Sequence, residues 1–336
     1  MKCAKVGIAP GGAYEQCCGD ISLFKKFESE NLGNDACLGL GAHHVEYSKK
    51  ANSVPKRQEL FDDKTILITG GAGSIGSAIA LRLLEFPVKS IRILDNDEYE
   101  LFKLKRSIHD KRLRLLLGSI LDKERLELAC NGADIVIHTA AVKNIEITEY
   151  NPIETIDTNI NGTVNLIKAI VRTQPKKFIN LSTDKAVQPT TLYGTTKQIS
   201  ERLTSWAGNY IKTTKFASIR LGNVFETKGN VFEVWADENE KNRPLSLTSS
   251  SMKRYFLRLE EAVDFIFECI PLVNHGEVFV PKMKLYNMNS LANKISKKHK
   301  IVGLRRGEKL EEILISEEER YNSQEKKDMW IIRTSH

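Results

Sequence analysis

KTILITGGAGSIGSAIALRLLE, residues 64–85, changes its hydrophobic period within a few positions. Its first part is a short apolar run of the kind that forms a buried strand, and from Ser77 onward the apolar side chains return at helical spacing. Between the two, Gly70, Gly73 and Gly76 stand at GxxGxxG spacing. That order predicts a strand, a tight turn and a helix. The first glycine permits the turn, the second lets a backbone come close to a pyrophosphate, and the third lets the helix pack against the strand. Ser74 and Ile75 then open the helix, whose free N–H groups and positive dipole end suit an anion.

Working outward, the same alternation repeats. IRILDND (91–97) reads as a strand, ELFKLKRSIHD (100–110) as a helix, LRLLLGS (113–119) as a strand, KERLELAC (123–130) as a helix and ADIVIHTAA (133–141) as a strand. NPIETIDTNINGTVNLIKAIVRT (151–173) reads as one long helix, KKFINLST (176–183) as a strand and TTKQISERLTSWAGNY (195–210) as a helix. Strands alternating with helices imply βαβ units, hence an α/β, Rossmann-type, doubly wound parallel sheet. After FASIRLGNVF (216–225) the alternation breaks down, with helices expected over LEEAVDFIFECI (259–270) and LANKISKKH (291–299). The reading divides the chain into an extension of unknown role over 1–60, a dinucleotide-binding domain over 61–223, and a smaller, partly interleaved substrate lobe over 224–336.

In that framework Asp95 ends the second strand, near the distance downstream of the glycines where a carboxylate accepts from a ribose diol and repels a 2′-phosphate. It favours NAD, with NADP not excluded; the other reading is that Asp95 caps the following helix, which Asp97 can do as well. Ser119 and Ile120 would approach the adenine, and Ala140, Ala141 and Lys143 would line the nicotinamide side. His138, inside an apolar strand, reads as a satisfied core residue.

Composition narrows the class. The chain has 336 residues, 41% hydrophobic and 28% charged, enough for a sizeable core, and no apolar run approaches the ~20 residues of a membrane span. No secretory leader is evident in the first residues, so the cytoplasm is the expected location. The net charge of +7 is spread along the chain, as in SEEERYNSQEKKD (316–328), with no aromatic interleaving, so no nucleic-acid partner is expected. Of the six cysteines (Cys3, Cys17, Cys18, Cys37, Cys130 and Cys269), none has CxxC spacing. Reduced thiols are expected, and no metal: Cys37, His43 and His44 are better read as loop residues.

Chemistry concentrates in STDKAVQPTTLYGTTK, residues 182–197. Tyr193 and Lys197 are spaced to share one helix face, and a nearby ammonium together with a positive nicotinamide would lower the phenol's pKa toward neutrality. Asp184 and Lys185 form a second acid/base pair, which one proton transfer does not need. The alternative for that pair is an ion pair that stiffens the loop, against which stands the tendency of adjacent side chains to diverge after a strand.

At this point the chain resembles the extended short-chain dehydrogenase/reductases, and within them the polysaccharide-biosynthesis branch that contains the inverting UDP-N-acetylglucosamine 4,6-dehydratases. The resemblance runs from about residue 60 to 320 and is carried by TGGAGSIG (69–76), HTAAVKNIEITEYNP (138–152), LSTDKAVQPTTLYGTTK (181–197), IRLGNV (219–224), PLSLTSSSMKRYFLRLEEAV (244–263), GEVFVPKM (276–283) and LRRGEKLEEILIS (304–316). It implies that Tyr193 takes the proton of a sugar 4-hydroxyl, with Lys197 holding the phenolate and the ribose and Thr183 bonded to O4. It further implies Lys185 as the base at C5 and Asp184 as the acid at the departing 6-hydroxyl. Arg254, Arg305 and Glu308 resemble a nucleotide-diphosphate clamp, and Lys143, Asn159 and Asn223 would orient sugar or diphosphate groups. A UDP-sugar substrate and a homo-oligomer follow from the same resemblance. Departures are Ser119 in place of an aspartate, Asn144 and Glu146 where His and Pro are commoner, and GNVFETKGNVFEVW (222–235), which lacks a Gly-Ser pair and sets the Glu226 carboxylate near the expected sugar. The sugar's C2 substituent is therefore left open. Two competing functions are a UDP-sugar 4-epimerase, which Asp184 and Lys185 argue against, and a non-catalytic NAD-binding scaffold or sensor, which the Tyr193/Lys197 pair argues against.

Overall fold

The computed structural model describes residues 59–333. Most of the expected extension, with Cys3, Cys17, Cys18, Cys37, His43 and His44, lies outside the described residues.

β1 (Thr65–Thr69) is buried along its whole length and leads through the glycine turn into α1 (Ser74–Leu83). Four further βα steps and a closing strand follow the same rule: β2 (Ser90–Asp95), α2 (Glu98–Ser107), β3 (Leu113–Leu117), α3 (Lys123–Cys130), β4 (Ile135–His138), α4 (Ile145–Tyr150), α5 (Pro152–Ile156), α6 (Gly162–Thr173), β5 (Lys177–Thr183), α7 (Leu192–Tyr210) and then β6 (Lys215–Leu221). Short polar side chains start the helices. Asp97, Asp122, Asn144 and Thr191 each accept a hydrogen bond from an N–H in the first turn of α2, α3, α4 and α7. At α1 Gly73 holds that place and offers no side chain, so the first N–H groups face outward.

The strands pair in the order β13 (Ser323–Glu325), β14 (Met329–Ile332), β10 (His275–Pro281), β6, β5, β4, β1, β2 and β3. From β3 to β10 all the pairings are parallel. Alternate residues of β1 show the double winding. Ile66 and Ile68 join one core with Ala78, Ile79, Ile266 and Phe267, whereas Leu67 joins the opposite core with Leu126, Val136, Leu166 and Ile170. One core is roofed by α1 and α9 (Leu259–Cys269), the other by α3 and α6.

The lobe grows from the chain after β6. β7 (Asn223–Val224), β9 (Lys253–Leu257) and β11 (Lys284–Asn287) make a three-stranded sheet, and β8 (Leu245–Leu247) pairs with β12 (His299–Ile301). With α8 (Val231–Glu240) and α10 (Met288–Ile295) they enclose a separate aromatic core in which Phe225 stacks on Phe256 at 4.4 Å. The helix expected over 291–299 stops at Ile295, and the lysine-rich continuation turns extended to pair with β8. The chain beyond 224 also returns to the large sheet: β10 lies beside β6, and β14 and β13, preceded by α11 (Glu317–Tyr321), add antiparallel strands.

No described helix is long and apolar enough to cross a membrane. Cys130 and Cys269 are free and buried, burial pushing the Cys130 thiol up to about 12. Among the described residues no group of three His, Cys, Asp or Glu is arranged to hold a metal ion.

Candidate active site

The strand ends of β1, β2, β4 and β5 open on the same edge of the sheet, at the place where the strand order reverses. Gly70 has a φ of +66°, and a Cβ there would come within 2.5 Å of the Ala140 backbone. At Gly76 a Cβ would meet the Gly70 carbonyl at 2.6 Å. Gly73 is different: the one neighbour of its Cβ would be the Gly70 oxygen at 3.2 Å, so this face of the turn is open to a ligand. Ile75 packs toward the core, while the Ser74 hydroxyl accepts from the Lys228 N–H at 3.0 Å.

Asp95 does not cap α2; Asp97 does, accepting from Glu100 N–H. The Asp95 carboxylate instead accepts from Ala72 N–H in the glycine turn (3.0 Å) and from Asp97 N–H (3.1 Å), and burial raises its pKa. It is thus fixed between the turn and the end of β2. Ser119 bonds locally, accepting from Leu121 N–H. The Ile120 side chain belongs to the core, packed over Gly162, so its backbone is the part that can face an adenine. Ala140 and Ala141 are half-buried beside Gly70, and Lys143 donates to the Lys228 carbonyl at 2.8 Å.

Tyr193 sits in the first turn of α7, where its phenol hydrogen-bonds Thr183 at the end of β5. Burial and the Asp184 charge push the phenol's pKa up, against the Thr183 hydrogen bond. The protein's own groups thus raise the phenol, and the lowering expected with a nicotinamide's charge beside it is a property of the filled site. Lys197, one turn later, is 4% exposed, its pKa is depressed by burial to about 8, and its ammonium makes no hydrogen bond to a described residue. A buried ammonium whose hydrogen-bond donors are left free by the described residues fits a dinucleotide's ribose.

The Asp184 and Lys185 side chains do not diverge. A 3-10 turn over Asp184–Ala186 curls them together, with Lys185 Nζ 3.0 Å from Asp184 Oδ1. Thr183 Oγ1 donates to the same oxygen at 3.0 Å. Asp184 is fully buried and its Oδ2 has no hydrogen-bond partner among the described residues. Such an oxygen is costly unless something else binds it.

Arg254 is 6% exposed and ion-paired with Glu308 at 3.3 Å, while Arg305 is exposed and reaches both Glu146 and Glu308. The two arginines therefore share the Glu308 carboxylate in the way they would share a diphosphate's oxygens. Asn223 donates to the Tyr255 carbonyl. Two expectations need correction. Asn159 was read as a substrate contact, but its amide is spent on Val142 N–H, Val142 C=O and Thr196 Oγ1, bracing the loop after β4 against α7. Glu226, expected to bring its carboxylate near the sugar, accepts from Leu259 N–H at the start of α9.

The sequence reading missed Glu201, Arg220 and Glu319. Arg220 Nε and Nη2 grip Glu201 at 3.0 and 2.8 Å, and Glu319 closes the other side at 2.7 and 2.9 Å. Their one signal in the sequence is that Glu201 stands four residues after Lys197.

Fold and site together define a short-chain dehydrogenase/reductase of the nucleotide-sugar dehydratase and epimerase class. The family described as polysaccharide biosynthesis protein matches residues 66–334, and the chain belongs to it. It is 38% identical to a UDP-N-acetylglucosamine 4,6-dehydratase (inverting) of Campylobacter jejuni, over 82% of this chain and 84% of that one. It is also 34% identical to a UDP-glucose 4-epimerase of Rickettsia bellii, over 77% and 80%. Among solved structures, Pen from Bacillus thuringiensis superposes with a TM-score of 0.78 at 35% identity, covering 82% of this chain and 88% of that one. The dTDP-glucose 4,6-dehydratase DesIV of Streptomyces venezuelae, solved with NAD and TYD bound, shares the fold at a TM-score of 0.70 and 19% identity, over 76% and 90%.

Proposed function

We propose that this protein is an NAD-dependent 4,6-dehydratase of a UDP-hexose, UDP-N-acetylglucosamine first, that inverts C5 and supplies a surface-glycan precursor. The observation that carries the reading is the Asp184 carboxylate, buried with one oxygen on Lys185 and the other unpartnered, within the Thr183–Tyr193 site. An epimerase needs the phenol alone; an elimination needs a second acid and base.

The glycine turn, Asp95 and Lys197 would hold the cofactor, NAD by virtue of the carboxylate. When bound, it accepts hydride from C4 and later returns it to C6. Tyr193 removes the 4-hydroxyl proton, with Thr183 on O4. Because the protein's own groups raise that phenol, its activation falls to charges brought near it when the site is filled. The 4-ketone acidifies H5. Lys185 takes that proton and Asp184 gives one to the departing 6-hydroxyl, which leaves as water. Both roles require the proton of the ion pair to sit on the carboxyl, a transfer along the 3.0 Å Lys185–Asp184 contact that a dry pocket favours. C5 regains a proton from solvent on the opposite face, which inverts that centre, while Tyr193 returns its proton to solvent and Lys185 returns its own to Asp184. Arg254 and Arg305 take the diphosphate from Glu308 and Glu146. The same reading places the protein in the cytoplasm as a homo-oligomer.

Proton NMR of the protein with UDP-N-acetylglucosamine and NAD in deuterated water tests the proposal. The expected product has a new C6 methyl signal and deuterium at C5. A UDP-N-acetylgalactosamine spectrum instead makes the protein an epimerase, and tight NAD binding with no turnover of any UDP-sugar makes it a sensor.

A further inference from the structure

Tyr193, Lys197 and Glu201 follow one another at four-residue steps on α7, so they line one side of the helix. Glu201 is 5% exposed, too deep to stay charged without a partner, and Arg220 of β6 supplies one through two hydrogen bonds. Arg220 is itself 2% exposed and holds Glu319 and the Leu314 carbonyl with its remaining donors. Charge therefore alternates along the column: ammonium, carboxylate, guanidinium, carboxylate. We propose that Glu201 is a positioning residue for Lys197, the counter-ion that keeps its ammonium charged at the acid/base site, and that Arg220 and Glu319 fix Glu201 in that role.

The groups facing Lys197 are few. His138 of β4 is buried and its pKa is depressed to about 3, so it carries no charge at neutral pH. Asp184 lies beyond Tyr193, held by Lys185 at 3.0 Å. Glu201, one turn along the same side of α7, favours the ammonium of Lys197 against burial that lowers its pKa to about 8. Arg220 keeps its own charge because Glu201 and then Glu319 outweigh its burial. The column extends a catalytic helix through the sheet to residues more than a hundred positions later in the chain.

The inference rests on Lys197 as the ammonium of this site, not on which sugar is converted, and it is read without turnover. In the full-length protein carrying lysine labelled with 13C at Cε, the Lys197 resonance is assigned by its loss in Lys197→Met and followed against pH. Glu201→Gln is expected to lower the midpoint by at least one pH unit with the thermal transition still cooperative, and Glu201→Asp to restore part of it. Glu319→Gln, a milder change at a half-buried position, is expected to move it the same way by less. That second variant decides the matter should Glu201→Gln fail to fold. A folded Glu201→Gln, or failing that a folded Glu319→Gln, whose midpoint equals that of the unaltered protein would overturn the proposal.

Discussion

His138 stands at the end of β4, one residue before the loop that lines the site, yet it turns into the sheet. Thr163 spends its hydroxyl proton on the Asn159 carbonyl at 2.7 Å, so it must accept from His138 Nε2, and Nδ1 then accepts from Thr69 Oγ1 at 2.7 Å. The ring is held neutral. Its pKa in the folded protein, about 3, lies far below that of an unfolded chain. Below about pH 6.5 the unfolded state alone takes up this proton, so stability falls with pH by up to about 1.4 kcal/mol per unit from this residue. His138→Gln is expected to flatten that acid limb between pH 6.5 and 5 in urea titrations; parallel limbs for both proteins would refute it. At this scale the sequence was informative where geometry is local. The glycine spacing, Asp95 beside its capping neighbour Asp97, and Tyr193 four before Lys197 are all set within one or two turns of chain. The meeting of Asp184 with Lys185 was not readable, because it depends on a single 3-10 turn that no residue spacing announces.

Among the elements, the stretch expected as one helix from 151 to 173 contains a π-helical turn over Asp157–Asn161 between α5 and α6. The extra residue swings Asn159 inward, where its amide ties the loop after β4 to Thr196 of α7. Periodicity alone could not show this, since apolar spacing is nearly the same on either side of a π turn. Asn159→Ala leaves the Val142 N–H and C=O unpaired, and is expected to cost about 2–3 kcal/mol. Asn159→Asp, which keeps the acceptor for Val142 N–H but loses both donors, should lie between the two. Chemical denaturation of the three proteins measures this, and an Asn159→Ala protein as stable as the parent would leave the π turn without the bracing role assigned to it.

Across the whole molecule, the parallel core from β3 to β6 was legible because each βα unit declares itself over some thirty residues. The closing strands were not. β10 joins β6 and β14 joins β10 through pairings such as Val278 with Ser218 and Val278 with Ile332, far apart in the chain, and nothing in a short window distinguishes a strand that returns from one that stays in the lobe. A chain ended at Glu311 loses β13 and β14, exposes Val278 and Val280 that pack against Leu314, Ile315 and Ile332, and strips Arg220 of two of its partners. It is expected to bind a hydrophobic dye and to unfold without a cooperative transition; a sharp transition at the parent's midpoint would show these strands to be dispensable. The grip of Glu319 on Arg220 also has a meaning for biosynthesis. While a ribosome is still translating the stretch before residue 319, α7 already carries its tyrosine and lysine, but the counter-charge behind them is incomplete. The nascent protein acquires its finished acid/base helix after nearly all of the described sequence has emerged.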